Sequence, residues 1–397
     1  MTIIEPVLSQ MPWNVKRDIV ELADTLTKFS LRRCSKEYKE HVDKSIIAYK
    51  RLLVWYHPRI NSVTVALNVD DDITFSLEFH QLPVGYRSIQ KPLTDDEHEN
   101  EVGKTVLTGN FIEAALTQTV KIFRNQKVSL KQLDIEMWSW WPKPELPEFL
   151  NNQTTLLAGL CDALTSRGHN LLAEEFRFHH TGDLQDCRPL LSLVQPGYLK
   201  RIMLSYHSHG YDLFVLHHEV LLDQIAEMEQ WKRATALNIH LFKLTLPLEK
   251  WSHFSELSFH LEEVTVDKVR ELYYTFLSNP NFKKCELNCE AYDNQSIAEY
   301  FVTLNPKITA IRRVYAEDIW HSGKVELKIN IPDIPDTWFR ISLIEMPMHR
   351  VIEFSKVGKD YQEPEEEEEE EKCTVETIKI TAAELLANFG KYVCKVA

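Results

Sequence analysis

The sequence is poor in glycine and lacks the short motifs of common enzymes. Only 11 of its 397 residues are glycine, few for a chain that must bring its backbone close to phosphate groups. It contains no G-x-S-x-G, no H-E-x-x-H, no phosphate loop and no glycine-rich dinucleotide fingerprint. Those motifs mark many hydrolases, metalloproteases and nucleotide-binding enzymes. We therefore expect a protein that is not an enzyme and that uses no cofactor.

The chain also lacks membrane and secretion signals. No stretch approaches the roughly 20 consecutive apolar residues that a membrane-spanning helix needs. Residues 1–18 do not combine a basic start with an apolar core and a small-residue cleavage site, as a secretory signal would. The 7 cysteines are scattered without a C-x-x-C pair, which is typical of a reducing compartment. We expect a cytoplasmic or nuclear protein with no membrane partner.

Basic residues are outnumbered by acidic ones, 45 against 59, which gives a net charge of −14. This charge repels the phosphate backbone and argues against a nucleic-acid partner. Part of the excess lies in residues 363–371, a nearly unbroken glutamate run. Such a run is typical of a solvated linker, although it could also bind a basic partner or mimic nucleic acid. Thr381 to Tyr392, beyond it, has a helix-like pattern.

Sixteen histidines raise the question of a metal site. Their spacing does not place two ligands one helical turn apart with a third elsewhere, as zinc sites usually show. We expect no metal, and surface or strand-end positions for these side chains. The densest groups are His179, His180, His207, His209, His217 and His218.

Residues 8–50 have the periodicity of two short amphipathic helices. Pro12 stands where the first begins, a position at which its missing N–H costs nothing. Helices this small cannot bury a core alone, so their apolar face needs a partner. That partner is either the chain's own downstream domain, which the helices would cap, or a second protein, and spacing leaves both open. The apolar positions are Ile19, Leu22, Leu26, Leu31, Cys34 and Tyr38.

Residues 60–108 are predicted to form a β-hairpin and a connecting loop. Apolar residues alternate over 63–69 and again over 73–79, and Asp70 to Asp72 supply the turn between them.

Residues 109–355 repeat a spacing in which an apolar residue, two arbitrary residues and then alternating apolar residues follow one another. The alternating part predicts a strand with one buried face. The intervening segments 111–123, 156–164, 220–231 and 266–277 have helical periodicity. Asn110 is a candidate cap for the first of them, and Gly168 is a candidate stop for the second. Two further strands are predicted over 338–344 and 349–354. The six copies begin at Leu130, Ala173, Leu199, Ala234, Phe254 and Phe282.

This alternation predicts an α/β fold in which a helical N-terminal motif precedes an irregular, leucine-rich-repeat-like curved sheet with helices on one side. The polar residues between the buried strand positions would then face the open side. Repeat proteins commonly bind partners on such a face, although a plain solvated face is the alternative. The predicted target-binding residues are Glu136, Trp138, Arg177, His179, Asn238, His240, His260 and Glu286.

Residues 11–43, MPWNVKRDIVELADTLTKFSLRRCSKEYKEHVD, resemble an F-box. In that family a Met/Leu-Pro opening precedes an apolar helix and, later, a stretch of the type Leu-Arg-x-Cys-Ser-Lys, found here at 31–36. The resemblance implies that a Skp-type adaptor, which connects to a cullin ubiquitin ligase, binds this face. The resemblance assigns this contact to Pro12, Ile19, Leu31 and Tyr38, and the apolar spacing adds Leu22, Leu26 and Cys34.

Four segments within 109–355 are similar to the FTH (DUF38) domain of a large nematode family of F-box proteins. They are residues 189–204, 228–242, 251–288 and 338–355. The resemblance implies a substrate-recognition adaptor of a Skp-cullin-F-box ubiquitin ligase, and a stand-alone interaction scaffold is the alternative. The domains predicted are an F-box-like motif (8–50), a hairpin and loop (60–108), an FTH-like repeat domain (109–355) and an acidic linker with a short tail (356–397).

Overall fold

The chain folds into a mixed α/β structure with two compact units. The first comprises Met1–Leu213 with Glu227–Arg233, and the second Phe214–Ala226 with Ala234–Ala397. No helix among the described residues is long and apolar enough to cross a membrane. The computed structural model describes residues 11–23, 27–28, 31, 35–44, 49–70, 73–93, 104–125, 129–137, 147–166, 168–180, 186–206, 222–243, 246–304, 309–314, 323–331, 337–345, 350–358 and 376–381.

The helices within these ranges are α1 (Trp13–Leu22), α2 (Lys36–Lys44), α3 (Phe111–Asn125), α4 (Pro147–Thr165), α5 (Cys187–Ser192), α6 (Asp223–Ala226), α7 (Glu229–Arg233), α8 (Val266–Ser278) and α9 (Asn294–Leu304). The strands are β1 (Arg51–His57), β2 (Ser62–Asp70), β3 (Ile73–Gln81), β4 (Tyr86–Leu93), β5 (Lys104–Leu107), β6 (Leu130–Met137), β7 (Ala173–His180), β8 (Arg201–Tyr206), β9 (Ala236–Lys243), β10 (Glu256–Val264), β11 (Lys284–Tyr292), β12 (Thr309–Val314), β13 (Gly323–Asn330), β14 (Thr337–Glu345), β15 (Arg350–Gly358) and β16 (Glu376–Thr381). Short 3-10 turns cover Pro58–Ile60 and Leu248–Lys250.

In the first unit, β1 lies between an antiparallel and a parallel part of the sheet. It pairs antiparallel with β2 and parallel with β6. Strands β2 to β5 continue as an antiparallel meander, and β6, β7 and β8 lie parallel in sequence order. The predicted hairpin, formed by β2 and β3, and the predicted parallel order of the first three repeat copies are both confirmed. The connecting loop predicted for the rest of 60–108 was wrong in part, because β4 and β5 continue the meander there.

One face of this sheet is apolar and is covered by helices. Leu52, Leu133, Phe176 and Ile202 lie side by side across the four parallel strands and are fully buried. On β1 the Tyr56 hydroxyl accepts a hydrogen bond from Asn152 Nδ2 of α4 at 3.3 Å. Helix α4 therefore lies on the apolar face, as the spacing predicted, and α3 packs beside it.

The predicted cap of α3 is confirmed, because the backbone N–H of Ile112 donates to Asn110 Oδ1 at 2.7 Å. Gly168, the predicted stop of α4, has a φ of +72°, a conformation that glycine adopts without the usual steric cost.

In the second unit, β9, β10 and β11 are parallel, and β15, β14, β13, β12 and β16 extend them with antiparallel pairs. The predicted strands 338–344 and 349–354 lie in β14 and β15. Their antiparallel order differs from a pure leucine-rich-repeat pattern because only four residues, 346–349, connect the two strands. Parallel neighbours need a crossover of a dozen residues or more.

Helices α8 and α9 pack on the apolar face of this unit through aromatic rings. The ring centroids of Phe276 and Phe354 are 5.5 Å apart, and those of Tyr273 and Phe301 are 5.3 Å apart. Tyr273 also meets Phe339 edge-on at 5.0 Å. Edge-to-face contacts of this kind add to the stability that the buried area itself contributes.

Within each unit, side-chain amides connect neighbouring elements through hydrogen bonds. Gln153 Nε2 donates to the Met137 carbonyl at 2.7 Å, and Gln230 Nε2 donates to the Val194 carbonyl at 2.9 Å. Asn279 Nδ2 donates to the carbonyl of Phe254 at 3.2 Å. Each amide satisfies a main-chain oxygen outside the regular ladders.

Three regions differ from the prediction or fall outside the described residues. In place of one helix over 220–231, the described part contains the short helices α6 and α7. Thr381, expected to begin a helix, ends β16, and 382–392 lie outside the described residues, as does the glutamate run 363–371. Strand β1 was not predicted.

Candidate functional site

The face of the first unit opposite α4 carries three rows of side chains across β1, β6, β7 and β8. The strand register places the members of each row side by side, and alternation along the strands places all three rows on this face. The first row is Arg51, Gln132, Glu175 and Arg201. The second is Leu53, Asp134, Arg177 and Met203, and the third is Trp55, Glu136, His179 and Ser205.

Asp134 lies at the centre of these rows and is fully buried. Its Oδ2 accepts a hydrogen bond from Arg51 Nε at 2.5 Å, and Gln132 Nε2 lies 2.8 Å from both carboxylate oxygens. Arg177 Nε is 3.8 Å from Oδ1. Burying a carboxylate is costly unless it is paired and hydrogen-bonded, and this carboxylate meets both conditions.

Glu175 makes the second acidic contact of this face. It pairs with Arg177 Nε through Oε1, and its Oε2 lies 3.7 Å from Arg201 Nε. The side chains of Arg51, Arg177 and Arg201 are 36, 32 and 41% exposed, whereas those of Asp134 and Glu175 are 0 and 18% exposed. The carboxylates therefore lie beneath and the guanidinium groups lie toward solvent.

Glu136, Arg177 and His179, which the sequence placed on the open face, lie on it together and are partly exposed. Trp55 of β1 joins them, and its ring contacts that of His57 at a centroid distance of 3.6 Å with the two planes tilted by 38°. Trp55 was not predicted because strand β1 was not. The available signal was the continuous apolar and aromatic run over 52–56, which is typical of a buried strand.

His57 is poorly suited to proton transfer at neutral pH. Burial lowers its pKa from 6.5 to about 4, partly offset by Glu78. Its Nε2 lies 3.1 Å from Thr64 Oγ1, so its neutral imidazole has a hydrogen-bonding partner. We assign it a packing role beside Trp55.

The predicted residues of the second unit form a smaller polar group. Asn238, Ser258 and Glu286 lie side by side, and Glu286 is opposite Glu353 of β15. Asn288 Nδ2 is 3.4 Å from Glu286 Oε1.

The two predicted histidines of this unit are not brought together. The register of β9 and β10 shifts between Ser258 and His260, so that His260 pairs with Lys243 and not with His240. His260 is buried, whereas His240 is partly exposed. Trp138 lies outside the described residues.

Helix α1 has an exposed apolar stripe on one side. Pro12, Val15, Ile19 and Leu22 follow one another at helical spacing, and Leu22 and Val15 are 89 and 36% exposed. Val20, toward the other side, is buried. The stripe contains three of the predicted adaptor-binding residues and adds Val15.

The remaining predicted residues of the N-terminal segment are placed differently. Leu31 and Tyr38 are buried within the chain, and Leu26 and Cys34 lie outside the described residues. Helix α2 contacts α1 through an ion pair of Lys16 and Glu37, which lowers the pKa of the Glu37 carboxyl. Leu31 and Tyr38 thus contribute to internal packing.

Within the described ranges, no three His, Cys, Asp or Glu side chains are grouped so that they could hold a metal ion. His207, His209, His217 and His218 lie outside those ranges.

Residues 155–304 match the family model described as the FTH domain. The matched range lies within the predicted range 109–355, begins inside α4 and ends at the last residue of α9. No curated protein and no solved structure matches the chain. The chain is therefore similar to the FTH domain over this range, which contains β7 and β8 of the first unit and β9 to β11 of the second.

Proposed function

We propose that this FTH-domain chain is a non-catalytic, substrate-recognition subunit of a Skp-cullin-F-box type ubiquitin ligase. In this role α1 binds a Skp-type adaptor, and through it a cullin, while the polar strand faces bind a target protein. The role requires no cofactor, metal, membrane or nucleic acid. A protein with this role would act in the cytoplasm or the nucleus.

The exposed apolar stripe of α1 is the main support for the proposal that this helix binds the adaptor. Leu22 is among the most exposed large apolar side chains of the described residues, and Val15 and Ile19 continue its surface along the helix. Aligned apolar side chains on a helix are the usual anchors of helix-in-groove recognition. Their burial against an adaptor would contribute roughly 1.5–3 kcal/mol for each large side chain before ordering costs.

The three rows of the first unit support the target half. They combine an aromatic side chain, Trp55, with arginines, and these residue types dominate binding hot spots. They also lie on regular strands, which hold side chains more firmly than loops do.

The adaptor half is tested by copurification of the full chain with a Skp-type adaptor. We expect a stable complex for the wild type and its loss for the double variant Val15→Glu, Leu22→Glu, because two carboxylates would be buried unpaired in the interface. Both side chains are exposed, so the variant should keep the thermal stability of the wild type.

Val84→Glu is the matched control. Val84 is 81% exposed in the turn between β3 and β4, so this variant should bind the adaptor as the wild type does. If the wild-type chain does not associate with the adaptor at micromolar concentration, or if the double variant associates equally well, the ligase role is excluded.

A stand-alone interaction scaffold is the second candidate. The burial of Val20, Leu31, Tyr38 and Val42 favours it, because these side chains already have partners within the chain. In that case the N-terminal helices only cap the protein. Deletion of residues 1–50 would then lower the melting temperature, and unchanged stability of the shortened chain would rule this role out.

A further inference from the structure

The edge of the first unit at which β1, β6, β7 and β8 begin has a charge opposite to that of the whole chain. Six basic residues meet three acidic ones there, in a protein whose net charge is −14. The acidic residues are Asp134, Glu174 and Glu175, and the basic ones are Lys50, Arg51, Lys131, Arg177, Lys200 and Arg201. This local excess of positive charge favours an anionic ligand.

Three of these basic residues form a fixed set, the arginine row (Arg51, Arg177 and Arg201). The carboxylates of Asp134 and Glu175 lie beneath it and hold its guanidinium groups, Arg51 through Nε and Nη2, and Arg177 and Arg201 through Nε. A guanidinium has five N–H donors, so a contact with one carboxylate leaves capacity for another. Side chains held in place in this way lose less entropy on binding.

The row is flanked by apolar side chains rather than by further charge. Leu53 and Met203 are the two ends of the second row, Leu53 beside Asp134 and Met203 beside Arg177, and both are partly exposed. Trp55 follows Leu53 on the same face of β1. Apolar and aromatic neighbours suit a peptide better than a bare nucleic-acid backbone, which the net charge of the chain also repels.

We propose that the arginine row binds an anionic side chain in a segment of the target protein, next to an apolar residue that contacts Leu53 or Met203. The anionic group is a carboxylate or a phosphate, since both accept two parallel hydrogen bonds from a guanidinium. This proposal rests on the target-binding role of the face and specifies the chemistry that the face selects.

Fluorescence anisotropy with the full chain tests it. The probes are short labelled peptides of alanine and leucine whose central pair is glutamate, phosphoserine or glutamine. We expect the glutamate or the phosphoserine peptide, or both, to bind more tightly than the glutamine peptide, and added salt to weaken that binding. Which anionic peptide binds more tightly identifies the source of the negative charge.

The double variant Arg177→Gln, Arg201→Gln should weaken binding of the anionic peptides by about tenfold or more, since it removes two charge-assisted contacts. Glu175→Gln should have the opposite effect and strengthen binding by about two- to fivefold, because it removes a competing negative charge. A purely structural role of Glu175 would not produce tighter binding.

Arg270→Gln is the matched control, because Arg270 is 52% exposed on α8 of the second unit. It makes the same type of substitution, with the loss of one positive charge, and should leave the affinity unchanged. Equal binding of anionic and glutamine peptides, or unchanged binding by the double variant, overturns the proposal. If circular dichroism shows that the double variant is unfolded, Glu175→Gln decides: tighter binding supports the proposal, and unchanged or weaker binding overturns it.

The outcome is separable from that of the adaptor experiment. Peptide binding is measured without adaptor, and the variant Val15→Glu, Leu22→Glu should retain it. Failure of the wild-type chain to associate with the adaptor, with intact peptide binding, would remove the ligase role alone. Adaptor association of the wild-type chain without preferential binding of the anionic peptides would overturn the arginine-row proposal alone.

Discussion

Arg51 Nε lies 2.5 Å from Oδ2 of Asp134, although 83 residues separate the two along the chain. The contact crosses the parallel pair of β1 and β6, which is where the meander meets the parallel strands. A buried ion pair at this junction affects both the stability of the sheet and the position of the arginine row.

Asp134→Asn should destabilise the protein by about 2–4 kcal/mol, because it leaves Arg51 and Arg177 without their buried partner. The midpoint of urea unfolding measures the loss. Asp162→Asn makes the same change on the exposed side of α4 and should stay within about 0.5 kcal/mol of the wild type. Equal effects of the two variants would show that the buried pair contributes nothing specific.

The same tyrosine substitution should have opposite effects at two buried positions. The Tyr38 hydroxyl is buried and has no hydrogen-bonding partner among the described residues, so Tyr38→Phe should be neutral or stabilising by about 1 kcal/mol. The Tyr56 hydroxyl contacts Asn61 Oδ1 at 3.1 Å and Asn152 Nδ2 at 3.3 Å. Tyr56→Phe should therefore destabilise by about 1–3 kcal/mol.

Thermal melts of the two phenylalanine variants, taken under one condition, provide the comparison. A lower melting temperature for Tyr38→Phe than for Tyr56→Phe would contradict the assignment of a bonded and an unbonded hydroxyl.

Stability should fall between about pH 6.5 and pH 4 because of His57. Burial lowers the pKa of this side chain from 6.5 to about 4 in the folded protein. Within that window the unfolded chain binds a proton that the folded protein does not, so stability is full above pH 6.5 and decreases as the pH falls. Allowing for partial exposure, the loss is about 2 kcal/mol.

Because carboxylates also titrate in this range, the measurement is the difference between wild type and His57→Gln across the pH series. The variant should lose less stability than the wild type on acidification. Parallel pH profiles for the two proteins would mean that His57 is not responsible.

Asn279→Ala should destabilise the second unit by about 2–3 kcal/mol. Its amide donates to the carbonyls of Ser252 and Phe254 at 3.0 and 3.2 Å, and its Oδ1 accepts from the Asn281 N–H at 2.9 Å. Removing the side chain leaves these main-chain groups without partners. Asn281→Ala, at an exposed position, is the control in chemical denaturation and should be close to neutral.

The apolar spacing was sufficient to predict the parallel strands and the core between them. Phe176, Ile202 and Leu287 are all buried as expected, because a residue pattern with a period of two reports directly which face of a strand meets the helices. The cap at Asn110 and the stop at Gly168 were also predictable, since both depend on neighbouring backbone groups alone.

The arginine row could not be predicted as a unit. Arg51 lies on a strand that precedes the repeat, and only the pairing of β1 with β6 places it beside Asp134. Local patterns do not encode which distant strands pair. For the same reason the shift at His260 was not foreseen, because a local irregularity in a strand pair leaves no recognisable signal in the residues themselves.

Strand pairing also determines at which residues the chain can be truncated without exposing the edge of a strand. The range 155–304 leaves out β6, the hydrogen-bonded neighbour of β7, and β15, the neighbour of β11, and it removes the first turns of α4. A polypeptide trimmed to those limits would have two bare strand edges, the usual starting point for intermolecular association. A fragment without new bare edges should therefore retain residues from 49 onward and extend through 381, because β16 pairs with β12.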